Sequence, residues 1–340
     1  METRCFTKND IDEAAVYLKQ GELVAFPTET VYGLGANALS EASVKQVYQV
    51  KGRPSDNPLI VHVSGLEMLL CYIDQLPETA EKLIHHFWPG PLTLILPLKT
   101  GSFSSSVTGG LDTVAFRMPN HSLTLKLIEA AGIPIVGPSA NTSGKPSPTT
   151  AAHVYHDLNG KISAILDGGP TQIGVESTVL DLTDSSGTPL ILRPGAVTKE
   201  ALEQVVGQVS VDKHLLTENE APKAPGMKYK HYSPSTPVWI VQNDEQSWRA
   251  AADWAEKNQK KLGIFASKKI LELLNDKKIV GYSFGEEGVE PATKYLFSGL
   301  RSLDEKELDL IFVPAFPEIG LGTAYMNRLK KAADQNFFKI

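Results

Sequence analysis

Residues 1–208 alternate short apolar runs with segments in which apolar positions recur every three or four residues. The apolar runs are rich in β-branched residues and bounded by Gly or Pro, which predicts strands. They are Leu23–Phe26, Leu59–Val63, Leu92–Leu96, Val114–Arg117, Ile133–Val136 and Val179–Leu182. The periodic segments predict helices at Ser40–Val50, Glu78–Phe87, His121–Ala131 and Thr149–His156, with Ser40 as an N-cap. Some strands follow one another too closely for helical crossovers, so we expect an α/β fold with a twisted mixed sheet.

The pattern changes in the rear of the chain. Residues 209–237 have no clear period and predict a linker. Strands and helices then alternate regularly through residues 238–340, which predicts a smaller Rossmann-like parallel α/β domain. The predicted elements are strands Val238–Val241, Leu262–Ala266, Ile279–Ser283 and Leu310–Val313 and helices Glu245–Lys257, Lys268–Leu274, Pro291–Leu300 and Ala324–Ala333.

Composition agrees with two globular domains. The chain has 340 residues, of which 42% are hydrophobic and 21% charged, and this length exceeds what one core usually supports. No apolar run reaches the ~18 residues that a membrane span needs, and the N-terminal residues do not resemble an export signal. Cys5 and Cys71 are too few for a disulfide framework or a thiolate zinc site. We therefore expect a cytoplasmic protein without a membrane partner.

The charge distribution limits the role of nucleic acid. The formal net charge is −6, and residues 1–208 contain 14 Lys and Arg against 21 Asp and Glu. A module that holds nucleic acid mainly through phosphates usually has a broad positive surface. The charge therefore disfavours such a module and leaves room for a local cationic cleft.

The most suggestive loop runs from Lys51 to Leu59, with the sequence KGRPSDNPL between a predicted helix and a predicted strand. Gly and Pro can hold Lys51 and Arg53 rigidly, and two fixed cations suit a triphosphate and its leaving pyrophosphate. Asn57 adds an amide just before the strand. The alternative is a solvated surface pair of charges.

Two further loops follow strands and carry small polar side chains. The segment Pro27–Gly35 contains two Thr, Glu29 and two Gly, which suits a small polar ligand or a simple strand-end turn. The segment Pro138–Ser147 combines hydroxyls, an amide and Lys145, which suits phosphate and ribose or an ordinary loop. Residues 174–178 and 192–195 each place a polar side chain beside a Gly at one end of a strand, which alone is only a weak indication of a ligand site.

Charged residues also occur inside apolar strands. Thr113 and Arg117 are four residues apart and so share one face of a strand. Buried Arg117 needs a partner, which is either a substrate carboxylate or a structural ion pair. His62 is either a core histidine or a substrate contact. No metal-ligand cluster, nucleophile elbow or Walker motif is present in the sequence.

Taken together, five segments in this order resemble the threonylcarbamoyl-AMP synthase family, the YrdC-like proteins. They are PTETVYGL at 27–34, KGRP with NPL at 51–59, SANTSG at 139–144, ESTV at 176–179 and LRPG at 192–195. The segment APGMKYKHYSP at 224–234, followed by a Rossmann-like domain, is similar to the longer two-domain form. The resemblance implies a catalytic domain at 1–208, a linker at 209–237 that closes over the active site and a C-terminal domain at 238–340.

The resemblance also implies a reaction and its residues. L-threonine, bicarbonate or CO2, and ATP would give threonylcarbamoyl-AMP and pyrophosphate, with Mg²⁺ bound mainly through the ATP phosphates. The product would supply the downstream transferase machinery that makes N6-threonylcarbamoyladenosine at tRNA position 37, and a weak direct tRNA contact is part of this expectation. The nucleotide and catalytic residues implied are Lys51, Arg53, Ser139 and Asn141, with Asn57, Thr113, Ser147, Arg193 and His231 or Tyr232 as further ATP contacts. The threonine contacts implied are Thr30, His62, Arg117, Ser177 and the backbone near Gly137, and no protein metal ligand is implied.

Two other classes of protein compete with this reading. A non-catalytic RNA-binding module would show salt-dependent RNA affinity without ATP turnover. A regulatory protein that handles carbamoyl nucleotides would cleave ATP without needing threonine.

Overall fold

The computed structural model describes residues 2–55, 57–183, 187–212 and 231–339. They form two compact units, each with its own sheet. The first comprises the described residues of Met1–Ser143, Pro148–Gln172 and Glu176–Tyr229. The second comprises Gly144–Ser147, Ile173–Val175 and the described residues of Lys230–Ile340.

The first unit is built on a mixed sheet of eleven strands. In chain order they are β1 (Arg4–Phe6), β2 (Val24–Phe26), β3 (Gly33–Asn37), β4 (Ile60–His62), β5 (Leu92–Pro97), β6 (Thr113–Arg117), β7 (Ile135–Val136), β8 (Ala164–Leu166), β9 (Thr178–Asp181), β10 (Leu190–Arg193) and β11 (Ser210–Val211). Their order across the sheet is β1-β8-β2-β3-β7-β4-β6-β5-β9-β10-β11. β4 runs parallel to β6, whereas β7 runs antiparallel to both β3 and β4. The predicted mixed sheet is confirmed.

Helices cover both faces of this sheet. They are α1 (Ile11–Lys19), α2 (Glu41–Lys51), α3 (Leu66–Leu70), α4 (Glu78–Phe87), α5 (Ser105–Thr108), α6 (Ser122–Ala131), α7 (Ala151–Leu158) and α8 (Lys199–Val206). Because strand side chains alternate, Val24 and Phe26 pack in one core with α1 and α6, while Ala25 packs in the other with α2. The β2 strand is therefore buried on both sides.

The second unit has four strands in the order β12-β15-β13-β14, all parallel. Its elements alternate as predicted: β12 (Val238–Val241), α9 (Glu245–Lys257), β13 (Leu262–Ala266), α10 (Lys268–Leu273), β14 (Ile279–Ser283), α11 (Val289–Asp304), β15 (Leu310–Pro314) and α12 (Leu321–Ala332). Trp248 of α9 is fully buried in its core. The predicted parallel α/β domain is confirmed.

The sequence pattern did not predict some of the observed elements. The strand β3 reads in the sequence as a glycine-rich turn, yet it lies centrally between β2 and β7. The helix α1 was also missed, although Ala14, Ala15 and Leu18 give it a buried face. β11 lies within the predicted linker and pairs with β10, while residues 213–230 of that linker lie outside the described residues. The exact domain boundaries stay a prediction.

Candidate active site

Two of the predicted site residues meet where strands β4 and β6 end. The two strands are parallel, and their register pairs His62 with Arg117. Both side chains are buried, at 2% and 4% exposure. Carboxyl ends of parallel strands are the usual place for a ligand site in an α/β sheet.

Arg117 is held by three groups from other parts of the chain. Its Nη1 donates to Thr30 Oγ1 at 3.0 Å and its Nε donates to the Gly90 carbonyl at 3.2 Å. Its Nη2 lies 2.7 Å from Glu29 Oε1, so the two side chains form an ion pair. The N–H groups of Nη2 do not point at this oxygen, and no hydrogen bond forms between them. The structural ion pair, one of the two partners foreseen for Arg117, is therefore present.

The turn that carries Glu29 and Thr30 is stabilised by Thr28. Its hydroxyl donates to the Val31 carbonyl at 2.6 Å and accepts from the backbone N–H groups of Thr30 and Val31. The Thr28 and Thr30 hydroxyls also lie 2.8 Å apart. The PTET sequence thus builds a rigid turn that presents Glu29 and Thr30 to Arg117. The family resemblance pointed to Thr30 as a threonine contact, and the composition of the segment Pro27–Gly35 pointed to its hydroxyls and Glu29 as candidate contacts of a small polar ligand.

His62 is uncharged at neutral pH. Burial, and secondarily the Arg117 charge, lower its pKa to about 3. Its ring lies edge-on to Phe26 with ring centroids 5.3 Å apart. Gly137 lies against the same ring, because a Cβ on this residue would sit 2.7 Å from His62 Cε1 and Nδ1. The structure therefore brings the predicted contacts His62 and Gly137 together with Arg117.

Ser177 and Arg193 form a second buried pair. Arg193 Nη2 donates to Ser177 Oγ at 3.1 Å, and its Nε donates to the Ser177 carbonyl at the same distance. The Ser177 hydroxyl also lies 2.8 Å from the hydroxyl of Thr93 on β5. Thr93 was missed, although a hydroxyl within the apolar run LTLIL is a usable signal. The segment 90–93 links the two clusters, since Gly90 accepts from Arg117.

Lys51, Ser139 and Asn141 form a third cluster. Lys51 ends helix α2 and is 2% exposed, with Gly52 as the left-handed C-cap at φ 62°. The Lys51 ammonium donates to the carbonyls of Ser139 and Asn141 at 2.5 and 2.6 Å. In return the Ser143 N–H donates to the Lys51 carbonyl at 2.8 Å. Lys51 therefore holds the loop 139–143 against the end of α2.

Arg53 lies at the edge of an open cavity, and Asn57 is buried four residues further along the same loop. Half-buried Arg53 lines this cavity of about 630 Å³ together with side chains of α2 and α5. Its Nη2 donates to the carbonyls of Asn57 and Pro58 at 3.3 and 3.2 Å. The Asn57 amide is 1% exposed and has no hydrogen-bond partner among the described residues. Arg53 is thus the cation of the loop that faces open space.

Comparison with known proteins covers both units. A family model described as Telomere recombination, of the Sua5, YciO and YrdC proteins, matches residues 16–195. A second, described as the C-terminal domain of threonylcarbamoyl-AMP synthase, matches residues 197–334. A threonylcarbamoyl-AMP synthase of Bacillus subtilis is 48% identical over 324 residues, which is 95% of this chain and 92% of that protein. The chain belongs to the threonylcarbamoyl-AMP synthase family. The resemblance seen in the five sequence segments is confirmed.

Other members of the threonylcarbamoyl-AMP synthase family support the same assignment. A Pyrococcus abyssi synthase is 47% identical over 332 residues, covering 96% of this chain and 95% of its own. The crystal structure of P. abyssi Sua5 complexed with L-threonine matches all of this chain and all of its own, with a TM-score of 0.92 and 44% identity. The fold of both units therefore matches that of a solved Sua5 structure.

Four further residues that the resemblance to this synthase family implied lie outside the clusters above. Thr113 begins β6, so about 13 Å of strand separates its backbone from that of Arg117. Ser147, His231 and Tyr232 belong to the second unit. There Tyr232 is buried and stacks on Phe297 with ring centroids 5.3 Å apart, whereas His231 is half-buried. Their nucleotide contacts stay predictions.

The described residues of this family member hold no group of three or more His, Cys, Asp or Glu side chains suited to a metal ion. Within the same residues, every helix is too short or too polar to cross a membrane. Cys5 and Cys71 are exposed free thiols.

Proposed function

We propose that the chain joins L-threonine, bicarbonate or CO2, and ATP into L-threonylcarbamoyl-AMP and pyrophosphate, as a nucleotidyltransferase. The observation that carries this is the buried group of Arg117, Thr30, His62 and Gly137. The loop that begins at Gly137 continues to Ser139 and Asn141 on Lys51. An amino-acid site and a nucleotide site would therefore share one loop.

Arg117 supports the amino-acid site through its remaining donors. A guanidinium has five N–H groups, of which one donates to Thr30 and one to Gly90, while Nη2 is paired with Glu29 by charge without a hydrogen bond. At least two N–H groups are left for the threonine carboxylate, which suits the planar fork of Arg. The uncharged His62 then offers a ring nitrogen to the threonine hydroxyl without adding charge.

The chemistry needs alignment more than a covalent nucleophile. Carboxylation of the threonine amine gives a carbamate anion, and this anion attacks the α-phosphate of ATP while pyrophosphate leaves. Both reactants are negative, so a fixed cation that neutralises the phosphates lowers the barrier. We assign this role to Arg53, which lines the open cavity, with Asn57 as an adjacent amide. We assign Lys51 to positioning Ser139 and Asn141, because its ammonium already donates to their carbonyls.

Magnesium fits this scheme as a companion of the substrate. Mg²⁺ keeps several waters and is usually held by phosphates with one or two carboxylates. We therefore propose that Mg²⁺ binds mainly through the ATP phosphates. When bound, Mg²⁺ would neutralise part of the phosphate charge, and Arg53 would neutralise a further part.

The product defines the partners that we propose. A threonylcarbamoyl-adenylate is an activated acyl donor, so a transferase must move its threonylcarbamoyl group onto an acceptor. We propose that this acceptor is the adenosine at tRNA position 37 and that the work takes place in the cytoplasm. A weak direct contact with tRNA stays a prediction.

The experiment compares wild type with Arg53→Ala by pyrophosphate release. Wild type should release pyrophosphate from ATP and Mg²⁺ only when both L-threonine and bicarbonate are present. Loss of the Arg53 charge should lower the rate at least about tenfold, which is ~1.4 kcal/mol of transition-state stabilisation. Arg53 is a cleaner choice than Lys51, whose removal would leave buried carbonyls without a donor.

The matched control is Arg4→Ala. Arg4 lies on the edge strand β1, is exposed, and pairs with Glu13 of α1. The rate of this variant should equal that of wild type. Pyrophosphate release that ignores threonine would contradict the proposed reaction and favour the regulatory reading. RNA affinity without any pyrophosphate release would favour the RNA-binding module.

A further inference from the structure

Glu29 is a buried carboxylate with unused acceptor capacity. The residue is 4% exposed, and neither of its oxygens accepts a hydrogen bond from any described residue. An ionised carboxylate offers about four acceptor sites, and leaving them all unmet in a protein interior is costly. Among the described residues it is paired with one cation, Arg117, whose Nη2 lies 2.7 Å from Oε1. A donor from outside the described residues is therefore expected at Glu29.

In the part of the chain that the structure describes, no second cation is paired with Glu29. His121, at the start of α6, is also close enough to feel the Glu29 charge, but burial outweighs that charge and lowers the pKa of His121. Its Nδ1 likewise lacks a hydrogen-bond partner among the described residues. His62 is neutral, as described above. Glu29 and Arg117 thus form a buried ion pair beside the neutral His62.

Such a pair is complementary to a free α-amino acid. At neutral pH an amino acid carries a carboxylate and an ammonium group on the same carbon, so its two charges are as close together as those of the pair. Arg117 has two N–H groups left for a carboxylate, and Glu29 has oxygens left for an ammonium group. The rigid turn built by Thr28 fixes Glu29, so little freedom is lost when the ligand binds.

We propose that Glu29 is the ammonium-binding residue of the amino-acid site and that the Glu29–Arg117 pair selects zwitterionic α-amino acids over acids that lack the amino group. The inference rests on the proposed function and adds a residue to its amino-acid site. It also gives the ion pair a role beyond structure: Arg117 orients the carboxylate, while Glu29 holds the nitrogen that becomes the carbamate nitrogen.

The test is calorimetric binding of L-threonine and of 3-hydroxybutanoate, which is threonine without its amino group. Wild type should bind threonine at least about tenfold more tightly, because a buried charge pair is lost with the amino group. Glu29→Gln keeps the size and one carbonyl oxygen but removes the charge. In this variant the preference should shrink to within about threefold, mainly through weaker threonine binding.

Two controls separate recognition from folding. Glu129→Gln, an exposed site on α6, should keep the wild-type preference. Thermal unfolding shows whether Glu29→Gln remains folded; a general loss of structure would weaken both ligands and leave their ratio unchanged. If Glu29→Gln does not fold, Glu29→Asp takes its place: its carboxylate is withdrawn by one methylene, so the preference should fall below that of wild type, and an unchanged preference would contradict the inference.

The outcomes distinguish the two proposals. If wild type binds both ligands equally, or if Glu29→Gln keeps the full preference, Glu29 is a structural partner of Arg117 and the inference is wrong while the synthase activity stands. If wild type binds no threonine at all, alone or with ATP, the proposed function itself fails.

Discussion

Arg117, Glu29 and His62 show how burial decides the chemistry of single residues in the first unit. Arg117 and Glu29 face each other as a buried ion pair, whereas burial, and secondarily the charge of Arg117, lowers the pKa of His62 and leaves its ring neutral. The sequence predicted that Arg117 is buried and needs a partner. It could not select Glu29, because that choice requires knowing that the turn after β2 reaches the end of β6, almost ninety positions later in the chain.

The His62 environment predicts how stability depends on pH. The folded pKa of about 3 lies below the unfolded value of 6.5, so the unfolded chain binds a proton that the folded chain does not. The contribution of His62 to the free energy of unfolding is therefore fully present above pH 6.5 and is lost as the pH falls towards 3. Between pH 7 and pH 5 the loss should be about 2 kcal/mol.

Urea unfolding of wild type and His62→Gln at the two pH values checks this. The variant should lose less stability between pH 7 and pH 5, by about that amount. His86→Gln, at an exposed position on α4, is the control and should behave like wild type. Equal losses in wild type and His62→Gln would show that His62 protonates in the folded state.

At the scale of elements, short strands bring distant segments to one point. β2, β4 and β7 contribute Phe26, His62 and the adjacent Gly137, and the sheet order places β7 beside β4. The apolar runs and helix caps predicted most of these elements, including the Ser40 N-cap, which accepts from the Ser43 N–H. The strand β3 was not predictable from its GLGAN sequence, because its glycines serve the close packing of Phe26 and give no β signal.

Gly137→Ala tests this packing. A Cβ there would lie 2.6 Å from Phe26 Cζ and 2.7 Å from the His62 ring, so a side chain must move. We expect a loss of about 1–3 kcal/mol in the free energy of unfolding and a higher KM for threonine. Chemical denaturation and steady-state kinetics measure the two effects.

Gly65→Ala is the matched control for this substitution. Gly65 has extended backbone at φ −172° and nothing within 4 Å of a new Cβ. Its loss of stability should stay below about 1 kcal/mol, with KM unchanged. Equal effects of the two substitutions would contradict the packing account.

At the scale of the whole molecule, the chain forms two units, and the second takes in the short segments Gly144–Ser147 and Ile173–Val175 as well as the rear of the chain. The family match extends through both units. The alternation of strands and helices made both sheets predictable in class. The order of the eleven strands was not predictable. Pairs such as β1 and β8 join segments that are far apart in sequence, and their pairing depends on how the whole sheet packs around its cores. The reaction was implied only by the resemblance of five segments, taken together, to one family, because each segment alone also suits an ordinary turn or strand end.

The central claim is that this chain builds a carbamate of threonine and adenylates it. The most direct measurement supplies ATP, Mg²⁺, L-threonine and ¹³C-bicarbonate to the purified protein and identifies the adenylate by mass spectrometry immediately after mixing. The account predicts threonylcarbamoyl-AMP that carries the ¹³C label, and none when threonine is left out. Pyrophosphate release with no labelled adenylate, or an adenylate that carries threonine without the labelled carbon, would contradict it.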